Sequence, residues 1–142
     1  MKPIVAVAVF IITLALACYT VGTAMQQRSR RITSRTLAWL TLGVLFDITA
    51  TGCMIVAAGS WVPKLHGALG YSALLGMLLE VVAAWRHRGA NGDLPISDRM
   101  ALYSRLAYAW WVVAFLSGGA LIARERMARK AVAALLGMDN LA

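Results

Sequence analysis

Acidic side chains are scarce in this chain: six Asp and Glu in 142 residues, against fourteen Lys and Arg. Histidine and cysteine are scarcer still, at two each. Cys18 and Cys53 have no metal-ligand spacing and build no disulfide framework. On antiparallel spans they fall toward opposite membrane faces, which argues against a bridge, so both are read as small packing residues. His66 and His87 are about 31 Å apart along a continuous helix, so one chain cannot build a bis-histidine site. No nucleophile–base pair, phosphate loop or metal cluster is visible, and an independent enzyme is not expected. The excess of base is not accompanied by any nucleic-acid recognition motif, so no nucleic-acid partner is expected either.

Long polar stretches are also missing. Hydrophobic residues make up 61% of the chain and charged residues 14%, far from a soluble domain. What is present instead is four apolar stretches, roughly 4–25, 37–58, 65–85 and 101–123. Each has the length of about 20 residues that crosses a ~30 Å hydrocarbon core as a helix. Met1-Lys2 and the run to Cys18 resemble a signal peptide, but the run continues to about Met25, too long for a signal's apolar core. It is read as a first span. The expected fold is all-α, an integral membrane four-helix bundle running up-down-up-down over residues 1–123. Residues 124–142 form a basic tail in which Met127, Ala131, Val132, Leu135 and Leu136 alternate with Arg124, Arg126, Arg129 and Lys130. That mixture predicts a short amphipathic helix lying in the membrane interface.

The basic residues lie outside the spans, where anionic headgroups meet them. Loop 26–36 holds Arg28, Arg30, Arg31 and Arg35, and loop 86–100 holds Arg86, Arg88 and Arg99. The 59–64 link has only Lys64. The bias predicts a plasma (inner) membrane protein with the two arginine-rich loops in the cytoplasm and the N-terminus outside. Trp39, Trp61 and Trp85 sit near span ends, as headgroup anchors do.

Four ionisable side chains interrupt the spans: Asp47, His66, Glu80 and Arg105. A charge in mid-membrane costs on the order of 2.5–3.5 kcal/mol or more, so such residues face the bundle interior and find partners. Helical steps from His66 place Gly70, Ala73, Met77 and Glu80 on one face of span three. The same steps from Asp47 collect Leu40, Gly43, Thr51 and Met54, and those from Arg105 collect Tyr108, Ala109, Val112, Leu116 and Gly119. Glu80 and Arg105 are level, which predicts a salt bridge, with Tyr19 and Tyr103 near enough in depth to join it. The bridge is read either as a structural pin or as a proton- or substrate-handling pair. Asp47, near the middle of span two, has no basic residue at its depth. Tyr108 or Trp110 is expected to donate to it, or else Asp47 is protonated and itself the donor.

His66 belongs to the opposite half, where Met54, Ser117, Gly118 and Gly119 are level with it and Gly67 and Gly70 adjoin it. Glycines on facing helices leave room for a flat macrocycle and equally permit close helix packing. Neutral histidine is a good iron ligand and methionine a known second ligand for haem. A hydrogen-bonded interfacial histidine is the other reading.

Several short pieces occur in a telling order: Tyr19-Thr20-Val21-Gly22, then Asp47-Ile48-Thr49-Ala50-Thr51-Gly52, then Leu65-His66-Gly67 with Gly70. Trp110-Trp111 and Phe115-Leu116-Ser117-Gly118 complete it. In these the chain resembles the HsmA family of small four-span bacterial haem-sensing membrane proteins, over about residues 10–123. The resemblance implies haem b bound in the membrane without catalysis, for sequestration or sensing, with His66 as axial ligand and Asp47 a buried site residue. Relatives tend to carry a further histidine about where this chain has Glu80. The expected site is therefore His66, with Met54 or a small molecule opposite and Gly67, Gly70, Gly118 and Gly119 around them. The alternatives are a small proton-coupled carrier built on Asp47, Tyr108, Glu80 and Arg105, and an accessory subunit of a larger membrane complex. The lipid bilayer is the one partner all readings share; a homo-oligomer is compatible with each.

Overall fold

A computed structural model describes residues 3–58 and 65–135. They form four helices: α1 (Pro3–Ser29), α2 (Ser34–Ala58), α3 (Leu65–Asn91) and α4 (Asp98–Leu135). All four are long and apolar enough to cross a membrane, so the protein is a multi-pass, all-α helical bundle. The helices overrun the apolar stretches because arginine, glutamine and serine at the edges continue a helix readily once it has started. The 59–64 link, with Trp61 and Lys64, lies outside the described residues.

The ends of α1, α2, α3 and α4 that carry Ser29, Ser34, Asn91 and Asp98 form what we call the arginine end. Its connections are short and well capped. Arg30 takes a left-handed turn (φ 54°), and Gly92, at φ 59°, ends α3. Thr33 caps α2 through a bond from Thr36 N to its Oγ1 (3.1 Å), and Ser97 caps α4 through Met100 N (3.3 Å). The two loops are tied together: Ile96 N donates to Arg30 O (2.8 Å), Arg30 pairs with Asp98, and Arg88 donates to Ile32 O (2.9 Å) and pairs with Asp93. Ile32 and Ile96 turn inward beneath this lattice and are buried, closing the bundle from below.

Around the axis α1 packs against α2 and α4, and α3 packs against α2 and α4. Neighbours match in opposite directions: Thr20 meets Tyr108 while Gln27 meets Ala101, and Trp85 meets Thr41 while Arg88 meets Ser34. The α1–α2 contact is the tightest. A methyl on Gly22 would lie 2.8 Å from the Leu40 side chain, and one on Gly43 would lie 2.9–3.1 Å from Tyr19, its backbone included. Small residues that bring backbones together drive helix association in lipid, where the hydrophobic effect cannot.

Burial is uneven along the axis. The core runs through Tyr19, Leu37, Leu40, Val44, Met77, Val81, Ala84, Ala101 and Trp111. Beyond Ala50 on α2, before Ala73 on α3 and beyond Ala114 on α4, no described residue is buried. Apart from Ala8 on α1, the described residues of the far half are half-buried at best.

The basic segment after residue 123 does not form a separate interfacial helix. It continues α4 unbroken to Leu135; residues 136–142, Leu136 among them, lie outside the described residues. Ala, Arg, Met and Lys are strong helix formers, and no Gly or Pro interrupts them there. Gly118 is level with His66 near the start of α3, so α4 runs on past it by about 25 Å.

Candidate functional site: a polar axis and a glycine-seated histidine

Opposite helices reach each other across the bundle axis by two polar contacts. Tyr19 on α1 donates its hydroxyl to Glu80 Oε2 on α3. Trp111 on α4 donates Nε1–H to Asp47 Oδ2 on α2, at 3.2 Å. Asp47 is 4% exposed and Glu80 1%, so both carboxyls lie inside the protein at membrane depth. The two contacts are linked, since the Tyr19 ring lies 5.9 Å from that of Trp111 and stacks on Tyr108 at 6.4 Å. Trp111 in turn adjoins Phe115 at 6.2 Å. Tyr108 shares a 3.0 Å hydrogen bond with Thr20.

The salt bridge expected between Glu80 and Arg105 does not form. Arg105 is exposed, its Nε turned back to Ala101 O at 3.4 Å. The buried stripe of α4 is Ala101, Ser104, Ala107, Trp111 and Ala114, one position away from the stripe through Arg105, Ala109, Leu116 and Gly119. Small Ser and Ala let the helices close on each other, whereas a long Arg reaches the interface by lying along the surface. The same rotation corrects Asp47: its donor is Trp111, not Tyr108 or Trp110. Trp110 is exposed and bonds Ser72 Oγ at 3.0 Å. Tyr19 does join Glu80, while Tyr103 donates to Gly76 O at 3.0 Å. Ser104, which the sequence reading passed over, faces Glu80 from α4. Its signal was available: Ser104, Tyr108 and Trp111 share one helical face.

In the far half, His66 on α3 is half-buried and docks onto α4. His66 Nδ1 lies 2.8 Å from Ser117 Oγ, and that hydroxyl donates its one proton to Ala114 O at 2.7 Å. In the tautomer whose Nδ1–H donates to Ser117, Nε2 keeps its lone pair. Gly118 makes this docking possible. A methyl there would lie 2.8 Å from His66 Cε1 and 3.1 Å from Nε2.

The other glycines divide. Gly70 is half-buried with nothing within 4 Å of where a methyl would sit, and Gly67 has only the Tyr71 ring, at 3.8 Å. Gly119 is exposed on the outer face of α4 and does not join them. Met54 is half-buried on α2, seven residues beyond Asp47 as Ser117 is six beyond Trp111, so the two lie at similar depth. An axial haem ligand needs a neutral imidazole whose other nitrogen is held by a hydrogen bond. Nδ1 of His66 is held by Ser117 and clear space lies at Gly67 and Gly70, so a haem on one histidine is compatible with these residues. Cys18 is buried and Cys53 half-buried, both as free thiols. Among the described residues no cluster of three or more His, Cys, Asp and Glu is placed to hold a metal ion. No family model, curated protein or solved structure matches this chain.

Proposed function

We propose that this protein binds haem b within the membrane, without catalysis, sequestering or sensing it. The observation that carries the reading is the Ala114–Ser117–His66 relay, which holds Nδ1 of the imidazole and leaves Nε2 as the candidate ligand atom. Gly118 seats the ring and Gly67 and Gly70 leave room beside it. Met54 is the candidate second ligand. Haem bound there supplies an iron centre and a visible absorption; the chain supplies an axial nitrogen, an apolar wall and a polar axis closed off below. With the arginine end in the cytoplasm, as the basic loops favour, the site lies in the outer leaflet of a plasma membrane and the N-terminus is outside. Haemin titrated into the purified protein is expected to give a Soret band that His66→Ala abolishes. No band in the wild type refutes the proposal.

A second reading, a small proton-coupled carrier, is favoured by one observation: each diagonal of the bundle carries a buried carboxyl, Asp47 or Glu80. It requires transport that Asp47→Asn abolishes in a preparation without pigment. Transport unchanged by that substitution excludes it.

A further inference from the structure

Below the level of Asp47, the described residues include five buried side-chain atoms that lack a hydrogen-bond partner. They are Thr23 Oγ1, both amide atoms of Gln26, Glu80 Oε1 and Ser104 Oγ. Thr23 is 6% exposed, Glu80 1%, and Gln26 and Ser104 fully enclosed. A buried polar atom left without a partner costs about 1–3 kcal/mol, and native interiors satisfy such atoms with protein or with ordered water.

Their placement is not scattered. Tyr19, Thr23 and Gln26 follow one face of α1 at helical spacing, and Tyr19 already touches Glu80. Ser104 faces the same carboxyl from α4, close enough to pair with it on a small side-chain turn, so the atoms that need water outright are those of Thr23 and Gln26. Measured from the arginine end, Gln26 stands about 5 Å in, Thr23 and Ser104 about 9 Å, and Glu80 about 16 Å. The steps along the axis are about 4–7 Å, and one water with two hydrogen bonds of about 2.8 Å spans up to about 5.6 Å, so one water serves the shorter step and two the step to Glu80. Above Glu80 the Tyr19, Tyr108 and Trp111 rings fill the axis, and below Gln26 the buried Ile32 and Ile96 close it.

We propose that the arginine-end half of the bundle encloses ordered waters between Gln26 and Glu80, hydrogen-bonded to Gln26, Thr23 and Glu80 Oε1 and sealed in by the aromatic rings above and Ile32 and Ile96 below. A proton on Glu80 sits on Oε1, because Oε2 already accepts from Tyr19. Among the described residues the other ionisable groups near the Tyr19–Glu80 pair are Asp47 on α2, occupied by Trp111, and Tyr103 on α4, occupied by Gly76 O; α4 also contributes Ser104 and Tyr108. The inference is independent of haem, which concerns the far half.

X-ray hydroxyl-radical labelling of the full-length protein in lipid nanodiscs tests it, because radicals made from a bound water mark the side chains beside that water. Tyr19 is fully enclosed and out of reach of bulk solvent. It is expected to be labelled in the wild type. In Thr23→Val/Gln26→Leu its labelling should fall on the order of tenfold, about one hydrogen bond's worth of affinity for the water. Labelling of the exposed Trp85 should stay unchanged, which shows an equal radical dose, and an unchanged helical circular dichroism spectrum shows that the variant is folded. Background labelling of wild-type Tyr19 overturns the proposal, and so does labelling that the double substitution leaves unaltered in a protein with normal Trp85 reactivity.

Discussion

The two halves of this bundle are built on different principles. At the arginine end the helices are capped, the loops are tied to each other, and Gly22 and Gly43 bring α1 and α2 into backbone contact. In the far half the helices touch mainly through side chains, and His66 on Gly118 is the closest approach described there. The closed half supplies stability. The looser half has low packing density, which is where ligand sites are ordinarily found. A single chain thus separates a tightly capped base from a looser face, where the proposed haem site lies.

Substitutions that break this contrast should differ in size. Gly43→Val drives a branched side chain into the Tyr19 backbone and should cost about 3 kcal/mol or more, read as a lower midpoint in detergent unfolding. Trp111→Phe keeps the ring and leaves Asp47 without its donor, so a loss of about 1–3 kcal/mol is expected in the same assay. In the far half, Gly118→Ala should cost no more than about 1 kcal/mol, because the imidazole swings into half-open space. That substitution should nevertheless remove haem binding, since Nε2 loses its fixed position. Smallest of all, Arg105→Gln should change stability by less than about 0.5 kcal/mol, as expected of an exposed side chain outside the polar axis. A large effect at Arg105 would restore the salt bridge with Glu80 that the structure replaces with Tyr19.

Depth was legible in the sequence and rotation was not. The lengths of the apolar runs set the four helices, and counting 1.5 Å per residue put Tyr19 level with Glu80 and brought Asp47 near an indole of α4. Rotation failed on α4, where Ser104 and Trp111 face the axis instead of Arg105 and Trp110. In water an amphipathic stripe marks the buried side. In lipid the outer face is as apolar as the core, so Leu102, Leu106 and Val113 outside give no contrast with Ala107 and Ala114 inside. Small residues were the better guide. The continuation of α4 through Arg124, Arg126, Arg129 and Lys130 was also readable, because no helix breaker lies between Gly119 and Leu135. The alternation of basic and apolar residues masked it by suggesting an interfacial helix. The relay from Ala114 through Ser117 to His66 was beyond the sequence, since it depends on which way one hydroxyl points.

Haemin titration, followed at the Soret band in wild type, His66→Ala and Glu80→Gln, tests the division of the molecule most directly. The account requires a band in the wild type, its loss in His66→Ala, and its retention in Glu80→Gln, whose altered side chain lies in the closed half. A band that survives His66→Ala, or one that disappears with Glu80→Gln in a folded protein, contradicts it.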